Sequence, residues 1–340
     1  MSYPARCIDC GYVLIGLPAG KCPECGREFD PDRPVTFTTK PPFVWWNYWL
    51  PGFLLAAIGG ALIYAVLILF IGWSWSAAIV APFCIGAIVG YGCRAQPFLL
   101  VLLALAALGA AIAGVYSMSL AGVFCGIVMG IVALVPVLVG TAMGYMLRLA
   151  LRESRFEQRW HLPALGLLLA LALAAAIDRA TVRPHAIESV VTSIQMPAPI
   201  GRAWNAVMFY EEVRHPPPFL LRIGLPKPLR TYGKSESVGD VKFCTYNKGR
   251  LAKQVTRREP QKLLAFDVIV QDRIENHSIR LTDGSFAFQA LGENQTQVAL
   301  TTSYEPKLGP RWIWRPAEEL AVHTLHRYVL EGMQQKAAEP

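Results

Sequence analysis

Residues 43–72 read FVWWNYWLPGFLLAAIGGALIYAVLILFIG, an aromatic cluster followed by a long uncharged apolar run. Trp and Tyr rings prefer the headgroup level of a bilayer, and a helix needs about 20 apolar residues to cross its hydrocarbon core. This stretch therefore predicts the entry of the chain into a membrane and its first span. The composition agrees, since 54% of the 340 residues are hydrophobic and only 16% are charged, unlike an ordinary soluble domain.

Further apolar runs follow the first at short intervals. Together they occupy about 50–72, 76–93, 97–116, 119–147 and 162–177. Five transmembrane helices are the simplest prediction. The last run is short, so a re-entrant or interfacial helix at 162–177 stays open.

Arginines mark one side of this helical block. The connections at 72–76 and 116–119 are uncharged, whereas the connections at the other end of the helices are basic. Basic loops of membrane proteins usually face the cytoplasm. Lys40 and Arg33 place the amino terminus on the same side. Five spans then put the carboxyl-terminal half outside the cytoplasm of a plasma-membrane protein, whereas four spans would keep it inside. The arginines concerned are Arg94, Arg148, Arg152, Arg155 and Arg159.

Two Cys-x2-Cys pairs, Cys7 with Cys10 and Cys22 with Cys25, precede the membrane block. Thiolates bind zinc tetrahedrally at about 2.3 Å, so two such pairs complete the shell of one ion and leave no position for water. The segment resembles a short zinc ribbon with these four cysteines as ligands. We therefore predict structural Zn²⁺ rather than a catalytic ion, while iron of the rubredoxin kind, which uses the same ligands, stays open.

The charges around the cysteines argue against nucleic acid as a partner. Acidic residues slightly outnumber basic ones there, and a nucleic-acid site needs an excess of cations. The formal net charge of +8 for the whole chain is explained by membrane topology instead. A protein partner for the ribbon stays open. The basic residues of the module are Arg6, Lys21, Arg27 and Arg33, and the acidic ones are Asp9, Glu24, Glu28, Asp30 and Asp32.

The carboxyl-terminal half has a different pattern, with apolar and polar residues alternating at period two from Ile187 onward. It predicts a strand at 186–196, a helix at 199–212, a proline-rich excursion at 215–228, a series of strands and a helix at Pro316–Met333. Consecutive strands followed by a long helix indicate an antiparallel sheet wrapped on that helix, an α+β domain. The strands are expected at 229–238, 240–248, 250–258, 262–272, 276–290 and 295–305. The predicted domains are 1–40, 41–178 and 179–340.

One stretch of this half carries a family resemblance. Residues 194–204, IQMPAPIGRAW, resemble the opening of START-like (SRPBCC; polyketide cyclase, dehydrase and lipid-transport) helix-grip domains, and residues 257–266 and 284–304 match their strand rhythm. The resemblance covers about 186–335. It implies a hydrophobic ligand held between the sheet and the last helix. The candidate cavity residues are Trp204, Phe219, Tyr246, Phe266, Phe286, Phe288, Leu300, Tyr304, Leu320 and Leu325.

Two stretches bear on contact with the bilayer. Residues 222–262 contain eleven basic and three acidic residues, and a cation near an anionic membrane surface contributes about 1 kcal/mol. A solvated basic sheet face explains this pattern equally well. Residues 311–315, RWIWR, pair aromatic rings with cations as interfacial anchors do. The candidate membrane-surface residues are Arg257, Arg258, Trp312 and Trp314.

The six histidines are scattered, and no nucleophile stands in a recognisable pattern with a base. We therefore expect a membrane-anchored binding protein whose START-like domain holds a lipid or other hydrophobic molecule near the bilayer. An enzyme of the cyclase or hydrolase kind that uses the same pocket is one alternative. A membrane scaffold that recruits a partner through the zinc ribbon is another.

Overall fold

The computed structural model describes residues 5–9, 12–39, 46–70, 72, 74–93, 96–117, 122–151, 161–181, 186–272 and 278–338. The chain divides into two compact units, Met1–Pro51 and Gly52–Pro340.

The first unit is built from very short strands. Its small apolar core consists of Cys7, Leu14, Cys22 and Phe29. A core of this size does not stabilise a fold by itself, so the unit needs a cross-link such as a metal. The strands are β1 Arg6–Cys7, β2 Gly20–Lys21, β3 Glu28–Phe29 and β4 Phe37–Thr38, with a 3₁₀ turn at Pro34–Thr36. Strand β1 pairs with β4 and β2 pairs with β3, both antiparallel.

The apolar runs fold into helices. Among the described residues, three helical segments are long and apolar enough to cross a membrane: Leu50–Phe70, Pro97–Ser117 and Val123–Ala150. The segment Ser76–Gly92 is shorter. The helix His161–Thr181 carries the polar pair Asp178 and Arg179 in its last turn. Three spans are thus supported, and five remain a prediction. The helices are α1 Trp46–Phe70, α2 Ala81–Gly92 with a π-helical turn Ser76–Val80 before it, α3 Pro97–Ser117, α4 Val123–Leu151 and α5 His161–Thr181.

Glycines bring α2 and α4 into close contact. A Cβ at Gly86 or Gly90 of α2 would overlap the backbone of α4, and one at Gly140 or Gly144 of α4 would overlap the backbone of α2. Small residues four apart allow membrane helices to approach in this way. Gly140 lies at Phe83 and Gly144 at Ala87, so α2 and α4 run parallel.

The neighbouring helices run in the opposite direction. Gly52 of α1 lies at Cys93, just beyond the end of α2, while Gly60 lies at Ile85 in the middle of it. At the other end, the backbone N–H of Ser76 donates to Oδ2 of Asp178 over 2.8 Å, so α5 ends where α2 begins. Both α1 and α5 are therefore antiparallel to α2.

The carboxyl-terminal domain is one antiparallel sheet curled around a long helix. The elements are β5 Glu188–Met196, α6 Ile200–Met208, α7 Phe219–Ile223, β6 Pro228–Gly233, β7 Val241–Tyr246, β8 Gly249–Glu259, β9 Leu263–Asp272, β10 Ile279–Gly292, β11 Gln295–Pro306 and α8 Arg311–Ala338. The seven strands follow the order β5-β11-β10-β9-β8-β7-β6, and bulges in β8 and β10 strengthen the curl. The predicted antiparallel sheet and long final helix are confirmed.

Several boundaries differ from the sequence expectation, since α6 ends at Met208 instead of 212 and β6 ends at Gly233 instead of 238. Helix α8 begins at Arg311 instead of Pro316, so Pro316 lies inside its second turn, where a proline cannot donate the usual backbone hydrogen bond. The short helix α7 lies in the proline-rich excursion, directly after Pro218. Proline sets the backbone angle suited to a helix start, so the same residues that predicted a loop begin this helix.

A buried ion-pair network fixes the start of α8 to the sheet. Arg311 donates to both oxygens of Glu188 on β5, over 3.0 and 2.7 Å, and to both oxygens of Glu318 on α8, over 2.9 and 2.6 Å. The Glu318 side chain is almost fully buried, and burial raises its pKa although Arg311 opposes this. The carboxylate therefore depends on Arg311 to remain charged.

We predict that Arg311→Leu lowers the free energy of unfolding of the carboxyl-terminal domain by about 3 kcal/mol, because it leaves a buried carboxylate unpaired. Arg280→Leu is the control, since Arg280 is exposed and pairs with Glu305 on the neighbouring strand, outside this network. It should change little. Urea unfolding of the full-length protein in detergent, followed by circular dichroism, measures both, and equal effects would contradict a special role for Arg311.

Candidate functional site

A cavity of about 190 Å³ lies between the sheet and the middle of α8. A single water needs only about 10–15 Å³ by this measure, so the interior of the domain is open rather than filled by side chains. Its walls are mostly apolar, and they come from β6 to β11, from α6 and the segment that follows it, and from α7 and α8. This is a concave apolar site of the kind that holds a small molecule.

Five of the ten cavity residues expected from sequence lie in these walls. They belong to four different strands and to α8, so they surround the cavity from the sheet side and from the helix side. These residues are Tyr246, Phe266, Phe286, Leu300 and Leu325.

Three other candidates are buried but lie elsewhere. The rings of Trp204 and Phe288 pack on each other, 5.1 Å between centroids, in the core around α6. Tyr304 is buried in a separate cluster, and its hydroxyl donates to Glu188 over 3.4 Å. Phe288 and Tyr304 point inward from their strands, but the inward face of the sheet is longer than the cavity.

The last two candidates, Phe219 and Leu320, are exposed by 66% and 53%. Phe219 is the first residue of α7, and Leu221, two residues later, faces the cavity instead. Leu320 precedes Ala321, which does line the cavity. A helix turns by about 100° per residue, so adjacent positions face different surroundings.

Sequence reasoning missed two lysines in the cavity wall. Lys242, Cys244 and Tyr246 alternate along β7 and all line the cavity. The Nζ of Lys242 donates to the carbonyl of Met208 over 2.5 Å, and burial lowers the pKa of Lys242 to about 8. On β8, the Nζ of Lys253 lies 4.3 Å from the centre of the Phe266 ring. The alternation itself could have placed Lys242 inward, because Tyr246 on the same face was a candidate.

His326 is the histidine of the cavity wall. Its Nδ1 lies 3.0 Å from Oγ1 of Thr192 and its Nε2 2.8 Å from Oγ1 of Thr302. Burial, and then the charge of Lys253, lower the pKa of His326 to about 3. At neutral pH the ring is therefore uncharged, and it links α8 to β5 and β11 through hydrogen bonds.

The expected membrane-surface residues have separate positions. Arg257 is exposed and ion-paired with Glu259, while the guanidinium of Arg258 lies over the Trp204 ring at 5.6 Å. Trp314 is only 1% exposed, and its Nε1 donates to the carbonyl of Gly309 over 3.0 Å. It is a core residue, so the expectation of a surface anchor there is corrected. Trp312 is 64% exposed.

One side of the cavity lies against the apolar helices. Leu221 and Leu225 line the cavity, and they also form a cluster with Phe124 in the first turn of α4. Nearby, Sγ of Cys125 lies 3.3 Å from Oγ of Ser278. The start of α4 is therefore joined directly to the cavity wall.

A second candidate site lies in the first unit. The sulfur atoms of Cys7, Cys22 and Cys25 lie within 4.8 Å of one another, and two thiolates on one zinc ion are about 3.8 Å apart for a Zn–S bond of 2.3 Å. Gly26 has φ +75°, and its N–H donates to the carbonyl of Cys22 over 2.9 Å, as a tight cysteine turn requires. These three thiols fit a metal ion. Cys10, the fourth expected ligand, lies outside the described residues.

The comparisons with known proteins concern the fold. No family model matches the chain, and no curated protein matches it. Among solved structures, the Zhui aromatase/cyclase from a Streptomyces species is 16% identical, with 45% of this chain and 94% of that chain covered and a TM-score of 0.32. A protein of Mesorhizobium loti is 18% identical, covering 44% and 96%, TM-score 0.31. A protein of Arthrobacter aurescens is also 18% identical, covering 46% and 94%, TM-score 0.31.

We predict that Cys22→Ser abolishes metal binding by the full-length protein, because it removes one of the clustered thiols. The wild type should carry about one zinc ion per chain, because four thiolates complete the coordination shell of one ion. Cys244→Ser, far along the sequence in β7, is the control and should keep its metal. Elemental analysis of the purified proteins measures the content, and a metal-free wild type would disprove the prediction.

Proposed function

We propose that this chain is a membrane-anchored binding protein whose carboxyl-terminal domain holds a lipid or other hydrophobic molecule. The observation that carries the proposal is the apolar cavity between the sheet and α8, joined through Leu221 and Leu225 to the start of α4. Each methylene group that such a ligand buries contributes about 0.8 kcal/mol. An apolar molecule from the bilayer therefore has a favourable destination next to the helices.

The aromatic pair at the same end of the helices supports a position at the membrane surface. The rings of Trp75, just before the π-helical turn, and Trp312, in the first turn of α8, lie 5.8 Å apart, and both are exposed. Tryptophan is enriched at the headgroup level. We assign Trp312 this contact, with Trp75 as its neighbour, in place of Trp314.

The helix directions favour a carboxyl-terminal domain outside the cytoplasm. The domain contacts the start of α4, whereas Arg148 near the end of α4 donates to the carbonyl of Cys93 at the far end of the block. If the arginine-rich end is cytoplasmic, as basic loops usually are, the domain lies on the other side. This arrangement requires both α2 and α5 to cross the membrane. Helix α5, with 21 residues, is long enough to do so.

For the first unit we propose a structural zinc ion held by Cys7, Cys10, Cys22 and Cys25. The proximity of three of these thiols supports it. A shell of four thiolates offers no open position for a substrate, so the ion would stabilise this small unit.

We predict that Ala321→Trp abolishes ligand retention, because the new ring enters the cavity that Ala321 lines. Leu320→Trp is the matched control, since the adjacent side chain points to solvent and should leave binding intact. Native mass spectrometry of the full-length protein released from lipid nanodiscs detects a bound molecule directly. Equal retention by the two variants would contradict the cavity as the binding site.

The topology proposal predicts opposite signals from two reporter fusions in bacterial cells. Green fluorescent protein fused after residue 151 should fluoresce, because the end of α4 lies on the arginine-rich side. The same reporter after residue 338 should be dark, and alkaline phosphatase there should be active. A fluorescent carboxyl-terminal fusion would show that α5 does not cross the membrane.

A further inference from the structure

Two lysines face each other across neighbouring strands in the cavity wall. Lys242 of β7 is the direct register partner of Lys253 of β8, and both line the cavity. Like charges at opposed positions destabilise a sheet, and an ammonium group in an apolar site loses hydration. The domain nevertheless keeps both side chains there.

Their contacts within the protein do not neutralise the two charges. Lys242 donates to a neutral backbone carbonyl, that of Met208, and Lys253 lies over the Phe266 ring. Within the described residues, none of the salt bridges to a carboxylate includes either lysine.

The other charged side chains of the wall are the carboxylates of Glu211, Glu212 and Asp283 and the guanidinium of Arg230. After burial, Cys244 on the same strand acts on Lys242 most strongly and favours its charge, Lys253 and Lys336 oppose the charge, and Glu211 favours it more weakly. Asp283 is also in the wall, where its Oδ2 accepts a hydrogen bond from Thr282. His326, on the α8 side, is neutral at physiological pH. An anion placed between the two lysines would relieve their repulsion.

We propose that the ligand is an anionic single-chain amphiphile, a carboxylate of the fatty-acid class. Its head group accepts charge-assisted hydrogen bonds from Lys242 and Lys253, and its hydrocarbon chain lies along the apolar walls. This inference rests on the proposed ligand-binding function and narrows it to a chemical class. The two separate lysine ammonium groups suit the two oxygens of a carboxylate, and a single hydrocarbon chain suits a cavity of about 190 Å³.

The test compares laurate with dodecanol, which has the same chain length and no charge. Titration calorimetry of the full-length protein in phosphatidylcholine nanodiscs, with empty nanodiscs as the blank, gives both affinities. Laurate should bind at least about tenfold more tightly, the effect of one hydrogen bond to a charged group. Its affinity should also fall as the pH rises above about 8, where Lys242 loses its proton.

Three variants locate the effect. Lys242→Met and Lys253→Met should each weaken laurate binding by about tenfold and leave dodecanol binding unchanged. Lys234→Met, an exposed lysine of the same basic stretch, is the control and should change neither. Removing a charge that has no carboxylate partner from the apolar wall should also raise the melting temperature of the ligand-free Lys242 and Lys253 variants, which separates lost binding from lost folding.

The outcomes distinguish this inference from the function on which it rests. Equal affinities for laurate and dodecanol, or lysine variants that bind laurate as the wild type does, would overturn the anionic ligand and keep the apolar binding site. A wild type that binds neither probe would overturn both.

Discussion

The fixing of α8 at both of its ends is the constraint on which the carboxyl-terminal domain depends. At the start of the helix, Arg311 joins it to Glu188 of β5 and to the buried Glu318. Near its end, Leu330 and Met333 belong to the same core cluster as Trp204. The middle of the helix is thus held across the curled sheet without being packed fully onto it. The cavity exists because packed side chains close the domain at the start of α8 and again near its end.

The same helix connects the cavity to the apolar helices. Tyr328 of α8 belongs to the cluster that contains Leu221, Leu225 and Phe124 of α4. Trp312, near the start of α8, lies beside Trp75 at the start of the α2 segment. Since α2 and α4 run parallel through their glycine contacts, both of these connections lie at one end of the helical block. Under the proposed function, a hydrophobic molecule that leaves a bilayer at that end would meet the apolar wall of the cavity first.

Much of this fold could be predicted from the sequence, because alternation and apolar length are local signals. The strands from β5 to β11 followed from period-two patterns, and the helices followed from uncharged runs. The cavity was predicted only in part, since alternation shows which side chains point inward but not which of them a helix covers. Phe286 and Phe288 point the same way on β10, yet one lines the cavity and the other packs on Trp204.

The charged and aromatic surface candidates show the same limit, because some residues expected at the surface lie inside the domain. Lys242 and Lys253 were included in a basic surface stretch because lysine is usually exposed, whereas the register of β7 and β8 brings them together inside. Trp312 and Trp314 looked equivalent between two arginines, but two helical positions separate them by about 200° around the axis. One ring is exposed and the other is buried. Such distinctions come from tertiary packing, which the local sequence does not encode.

The most direct test of the central claim is photo-crosslinking in intact membranes. Cells that express the full-length protein would be supplied with a fatty acid that carries a diazirine in its chain, irradiated, and the modified peptides identified by mass spectrometry. The cavity account predicts adducts on the α8 peptide around residues 321–333 and on strands β9 and β10. Adducts confined to the helices between residues 52 and 151 would show ordinary lipid contact and would contradict a ligand site in the carboxyl-terminal domain.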